Sequence, residues 1–263
     1  MPTLRDAIYG LAVGDALGVP YEFRPRGSFA CTGMVGYGTH DQPAGTWSDD
    51  TSMTLATCDS IRACGRVDTA DMLSRFRAWI DDGAYAIDGV VFDYGNTTAR
   101  ALAAGMGCAG ERDNGNGSLM RIVPLAFTDA TDDGVRAVSA ITHAHPVSTE
   151  TCVDMVRVMR TLAAGASPAE AVPDHEVLLA ASEKDIRSGG FVRDTYCAAL
   201  WCLAVSESYE ECVLRAVNLG DDTDTTAAVA GALAGIVYGA DAIPPAWMEA
   251  LRGKDIIESC LFR

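Results

Sequence analysis

Apolar residues recur at helical spacing along most of the 263-residue chain. Thr3 is placed to cap a helix running to about Leu17. Helices are predicted over Thr51–Cys64 and Thr69–Ile80, the latter with Leu73, Phe76 and Ile80 on one face. The same spacing predicts helices over 96–107, 118–128, 132–143, 147–164, 167–172, 193–206, 209–218, 224–239 and 245–251. Alternating β-branched runs are nearly absent, and Val90–Phe92 is too short to decide anything. The pattern therefore predicts an all-α fold. No low-complexity linker or fixed-period repeat interrupts it, so one domain over residues 1–263 is expected.

Glycine punctuates this pattern in two ways. Gly-rich stretches at 27–45, 105–117 and 187–190 fall between predicted helices, and long loops in a compact domain are more often functional than decorative. Inside helices, Gly10, Gly14 and Gly18 recur every fourth residue, as do Gly231, Gly235 and Gly239. Each interior glycine costs about 1 kcal/mol of helix propensity relative to alanine. A smooth face for close helix packing is the physical reason to expect.

Composition narrows the class. Hydrophobic residues make up 49% and charged residues 21%, as in globular proteins. The net charge of −16 opposes general binding to nucleic acid or acidic membrane, which is carried by Lys and Arg clusters. The nine cysteines are odd in number and include no CxxC pair, so a disulfide scaffold or zinc finger is not expected. Reduced, buried thiols in a cytoplasmic protein are the simpler expectation. The N-terminal MPTLRDAIYGLAVGDALG has no signal-peptide pattern, and no apolar run reaches the ~20 residues of a membrane span.

Two acidic clusters stand at predicted helix starts. Asp221, Asp222 and Asp224 occupy three of four positions before the uncharged run Ala227–Gly239. Far upstream, TWSDDTSMTLA sets Ser48, Asp49, Asp50 and Thr51 before another apolar helical run. One aspartate at a helix start is ordinary capping, whereas three exceed what capping requires. Carboxylates a few Å apart repel unless one stays protonated or a cation lies between them. An all-oxygen set suits Mg²⁺, Mn²⁺ or Ca²⁺ rather than zinc. The pattern alone leaves two readings open: a metal site formed by both clusters, or two unrelated acidic caps.

WSDDTSMTL and GDDTDTTAAVAGALAGIVYG, with GLAVGDALGVPYEF, GNGSLMRIVPLA, THAHP and SGGFVRDTYCAALWC, decide between them. Together and in this order along residues 7–239, they resemble the ADP-ribosylglycohydrolases, the dinitrogenase-reductase-activating glycohydrolase type. The resemblance implies an all-α orthogonal multi-helix bundle, two divalent metal ions (Mg²⁺ or Mn²⁺), and hydrolysis of an ADP-ribose glycosidic bond. Carried over residue by residue, it implies metal ligation by Ser48, Asp49, Asp50, Asp222, Asp224 and Thr225, with Asp221 a helix-start charge outside the ligand set. Glu22 matches an acid beside the metals, and Asp15 is either support for that site or plain helix polarity. Asp93 is either a general base or the cap of a helix beginning near Asn96, which would itself face the substrate ribose.

The run Asn114 to Arg121 is suited to diphosphate, through Asn116, Gly117 and Ser118, because small residues permit close backbone approach and N–H groups at a helix start bind anions; a turn followed by a capped helix is the alternative. Arg121 is expected to pair with an acid inside the fold. The resemblance places a ligand-contacting histidine at His145 rather than His143, and an adenine-stacking aromatic at Phe191 beside Gly190, where relatives often carry Tyr. The substrate it implies is an ADP-ribosylated protein, first of all on arginine. Serine-linked, small-molecule and nucleic-acid adducts are alternatives, the last disfavoured by the charge. A non-catalytic crystallin-type relative or an immunity-type binder is the competing class; the intact Asp49, Asp50, Asp222 and Asp224 oppose the first.

Overall fold

The computed structural model describes residues 1–263, and it is built of helices without strands. Thirteen α-helices follow in chain order: α1 (Leu4–Gly18), α2 (Asp49–Cys64), α3 (Thr69–Asp82), α4 (Asn96–Ala104), α5 (Asp132–Ser139), α6 (Pro146–Ala163), α7 (Pro168–Ala171), α8 (His175–Ala180), α9 (Val192–Ala204), α10 (Tyr209–Asn218), α11 (Thr223–Tyr238), α12 (Pro245–Ala250) and α13 (Lys254–Cys260). None is long and apolar enough to cross a membrane.

Local chemistry sets the helix ends. Thr3 and Asp6 form a reciprocal capping box on α1, and Asp68 accepts from the Ala70 and Asp71 N–H groups to start α3. Gly65, Gly83 and Gly105 end α2, α3 and α4 in left-handed backbone. On α3 the buried face is Met72, Phe76 and Trp79, with Leu73 and Ile80 only partly covered, so the stripe is rotated from the one read in the sequence.

Several expectations are corrected. Residues 118–128 form no α-helix: turns lead into a 3-10 helix over Val123–Phe127. Pro124 lacks an N–H and disfavours helical backbone at the residue before it. The buried run Leu119, Ile122, Val123 and Leu125 had supplied the helical signal. The helix read over 132–143 stops at Ser139, and α8 and α13 were not anticipated. Gly239 is not part of the packing face of α11 but its cap, at φ 82°.

At the centre α1 lies against α11, and both are buried on nearly all sides. Their glycines make the approach possible. A Cβ on Gly10 would stand 2.2 Å from the Gly231 carbonyl oxygen, and one on Gly14 would stand 2.1 Å from that of Ala227. A Cβ on Gly18 would meet the Asp224 Cα at 2.3 Å. Thr223 Oγ1 donates to the Gly18 carbonyl at 2.8 Å, and the buried Tyr209 hydroxyl of α10 donates to that of Gly10 at 2.8 Å. The ends of α1 and α11 are thereby fixed to each other where the acids lie.

Gly14→Ala should therefore destabilise the protein by about 2–3 kcal/mol in urea unfolding, although alanine is the better helix former. An unchanged or raised stability would mean that the α1–α11 spacing is not set by this contact.

Candidate active site

The acidic clusters converge. Ser48 caps α2, accepting at Oγ from the Asp50 N–H at 3.4 Å. Asp49 and Asp50 fall in the first turn of α2, and Asp224 falls in that of α11 behind its cap Asp222. Both starts present the positive ends of buried helices to the same place. One oxygen each from Asp15, Asp50 and Asp224 lie within 4.8 Å of one another, and so do oxygens of Glu22, Asp222 and Asp224.

Hydrogen bonding separates support from function. Asp15, fully buried on α1, accepts from the Ser48 N–H (2.9 Å), the Thr51 N–H (3.0 Å) and the Thr51 hydroxyl (2.6 Å). It is a brace holding the start of α2, and Thr51 belongs to the same brace. In contrast, both carboxylate oxygens of Asp50 and of Asp224, and Oδ1 of Asp222, are buried with no partner. Oδ2 of Asp222 accepts from Asn116 Nδ2 at 2.8 Å. Buried carboxylate oxygens without donors are costly, and a divalent cation supplies what they lack. The donors are all oxygens, so the set fits such an ion.

Burial dominates the electrostatics. It pushes the carboxyls of Asp49, Asp50 and Asp224 well above the ordinary range, and their neighbours' charges push them further. Burial also raises Glu22 to about 8 and Asp93 to about 9. His40, a residue overlooked in the sequence, bridges these two: Nε2 contacts Glu22 Oε2 and lies 3.8 Å from Asp93 Oδ2. It comes from the Gly-rich loop 27–45, where no local pattern marks a lone histidine.

Above the acids opens a cavity of about 520 Å³. Its wall includes Glu22, Asp49, Asp93, Asn96, Asn116, Gly117, Gly190, Asp222 and Thr225 among the residues singled out in the sequence. Phe23, Tyr94, Arg112 and His143 line it too. Arg112 is the sole Lys or Arg of the lining and makes no ion pair or hydrogen bond, though nothing in the sequence distinguished it from other surface arginines.

The remaining residues lie behind or beside this wall. Ser118 is buried, receiving the Ser139 hydroxyl at 2.9 Å. His145 caps α6, its Nδ1 accepting from the Val147 N–H at 3.2 Å, and does not line the cavity, whereas His143 does. Burial lowers His143 to about 3, so its ring is neutral. Phe191 caps α9 and is 38% exposed; it follows the lining residue Gly190 in the chain but does not itself line the cavity. The Asn116 N–H donates to the Gly190 carbonyl at 3.1 Å and the Val192 N–H to that of Asn114 at 3.1 Å, tying the two loops together. No α-helix follows the 114–118 loop, so its N–H groups gain no helix dipole; those of Gly115 and Gly117 donate to nothing in the chain. Arg121 pairs with no acid. It is fully buried over the Phe76 ring at 4.5 Å and donates to Thr142 Oγ1 at 2.8 Å. Asp221 precedes α11 at φ 61°, its backbone paired with residues 23 and 24.

The ADP-ribosylglycohydrolase family model matches residues 3–262. The chain belongs to the ADP-ribosylglycohydrolase family. It is 34% identical over 279 residues to ADP-ribosylarginine hydrolase Tri1 of Pseudomonas putida (strain GB-1), covering 97% of this chain and 75% of that protein. It is 33% identical over 284 residues to ADP-ribosyl-[dinitrogen reductase] glycohydrolase of Rhodospirillum rubrum, covering 96% and 92%. A solved structure titled ADP-ribosylglycohydrolase-related protein complex superposes with a TM-score of 0.82 at 31% identity, over 98% of this chain and 94% of that one. The all-α bundle expected for an ADP-ribosylglycohydrolase is thus the observed fold, and the family consists of hydrolases acting on glycosidic bonds.

Without metal, the raised carboxyls bind protons more tightly in the folded than in the unfolded chain. Their contribution to stability is complete below about pH 4 and is lost as pH rises through their raised values, up to about 8 for Glu22 and about 9 for Asp93. The thermal midpoint in EDTA should therefore fall between about pH 5 and about pH 9, and Asp50→Asn should flatten the fall. A midpoint that rises over that interval would contradict the assignment.

Proposed function

We propose that this family member hydrolyses the N-glycosidic bond joining ADP-ribose to a protein arginine, releasing ADP-ribose and the free side chain. One observation carries the reading: both carboxylate oxygens of Asp50 and Asp224 and Oδ1 of Asp222 are buried without a partner, beside a cavity walled by Glu22, Asp49, Asp93 and Asp222. The names of the two relatives, one an ADP-ribosylarginine hydrolase and one acting on ADP-ribosylated dinitrogen reductase, support arginine on a protein as the target. The whole chain, residues 1–263, acts as one domain. Its nine free cysteines suit the reducing cytoplasm.

Ser48, Asp49, Asp50, Asp222, Asp224 and Thr225 would hold two divalent cations, Mg²⁺ or Mn²⁺. When bound, such ions supply the positive charge that makes a water more acidic and steadies negative charge on ribose hydroxyls. Water attacks the anomeric carbon, and the C–N bond breaks with its electron pair on the guanidine nitrogen. Glu22 and Asp93 are the groups placed to move protons, taking one from the water and returning one to the leaving nitrogen. Their buried positions keep protonation accessible near neutral pH.

Asn96 stands in the wall on the ribose side. The unpaired N–H groups of Gly115 and Gly117, with Arg112, take the diphosphate, while Asn116 orients Asp222. Gly190 lets adenine approach Phe191, which keeps a stacking face without a hydroxyl. Ser118 and His145 contribute from behind, by holding the loop and the start of α6.

ADP-ribose release from arginine-modified and serine-modified protein, measured side by side, tests the proposal. Release from the arginine substrate should require Mg²⁺ or Mn²⁺, stop in EDTA, and fall more than about a hundredfold in Asp224→Ala. Release from the serine substrate alone would move the linkage. No release from either by folded, metal-loaded protein would reject a protein hydrolase.

A further inference from the structure

Both proton-transfer candidates are followed by an aromatic residue, giving the pairs Glu22–Phe23 and Asp93–Tyr94. All four residues line the same cavity. The acids are the covered members, Glu22 at 5% exposure, while Phe23 is 68% and Tyr94 45% exposed. One residue of each pair takes left-handed backbone: Phe23 at φ 62° and Asp93 at φ 54°. For a residue as bulky as phenylalanine this conformation is strained, and it persists only where the surroundings enforce it.

The surroundings do enforce it. The Phe23 N–H donates to the Asp221 carbonyl at 2.7 Å, and the Asp221 N–H donates to that of Arg24 at 2.9 Å. This corner is therefore fastened to the turn that presents Asp222. On the other side the Tyr94 ring meets Trp79 edge to face, with centroids 6.0 Å apart. Core packing accounts for neither ring, since both remain substantially open to solvent. Two aromatic surfaces held at the mouth of an acidic cavity are the arrangement that receives a flat organic cation.

We infer that Phe23 and Tyr94 form the leaving-group subsite and determine its specificity. The guanidinium of the target arginine lies against their ring faces, with the Glu22 and Asp93 carboxyls beside it. This inference rests on the arginine reading proposed above. A guanidinium is planar, weakly hydrated and attracted to both aromatic faces and carboxyl groups, whereas a serine oxygen offers none of these properties.

Steady-state hydrolysis of an ADP-ribosyl-arginine peptide in Mg²⁺ tests it, with free ADP-ribose as competitive inhibitor. ADP-ribose lacks the leaving group, so its inhibition constant reports the rest of the cavity. Phe23→Leu and Tyr94→Leu should each lower kcat/KM about tenfold and leave ADP-ribose inhibition within about twofold. Phe23→Tyr and Tyr94→Phe, which keep a ring, should lose less than the leucine variants. Tyr94→Leu tests the subsite even if the strained backbone at Phe23 makes that variant unstable. Unchanged kcat/KM in Tyr94→Leu, or a parallel weakening of ADP-ribose, would overturn the inference while leaving the arginine hydrolase standing. If the unsubstituted protein releases nothing from the arginine peptide, both fall together.

Discussion

Carboxyl groups from three helices and two loops occupy one buried corner, and everything around them is arranged to keep them there. Desolvation and mutual repulsion both oppose that placement. The fold meets the opposition with rigidity. The glycine faces of α1 and α11 bring the two backbones so close that the Gly18–Asp224 contact leaves no room for a Cβ. Asp15 spends its carboxylate on the start of α2, and the Thr223 hydroxyl locks the start of α11 to the end of α1. Asp15 and Asp224 cannot relax apart without separating the central helix pair.

This frame explains how a chain of net charge −16 can handle an anionic substrate. Positive character is supplied locally rather than globally. Helix starts face the acidic corner, unpaired glycine N–H groups line one wall, and Arg112 stands free among the lining residues. The neutral His143 adds a ring without adding charge. Negative charge stays concentrated at the one end where the buried acids converge.

The loop backbone does comparable work at the rim. Left-handed residues at Phe23, Asp93 and Asp221 redirect the chain at three points around the cavity. They separate what goes inward from what stays at the mouth, so adjacent residues can serve different parts of one substrate. His40 ties two of these loops by meeting both Glu22 and Asp93.

The sequence by itself determined the helical class, most helix spans, and the two acidic helix starts, because these depend on periodicity and capping within a few residues. It also marked Glu22, Asp93, Asn116 and Gly190 through motifs that survive as local strings. The tertiary structure alone decided which polar groups share a space. Nothing near His40 or Arg112 in the chain signals a cavity, and THAHP does not say which histidine faces it. The apolar run 119–125 read as a helix because burial and helicity leave the same mark over a short stretch, and only Pro124 argued otherwise. The face of α3 was misplaced because Met72, Phe76 and Trp79 compete with Leu73 and Ile80 for one stripe, and the neighbouring helices choose between them. Whether Asp15 was support or mere polarity turned on three hydrogen bonds to residues more than thirty positions away. Contacts at that separation are set by packing, which local pattern does not encode.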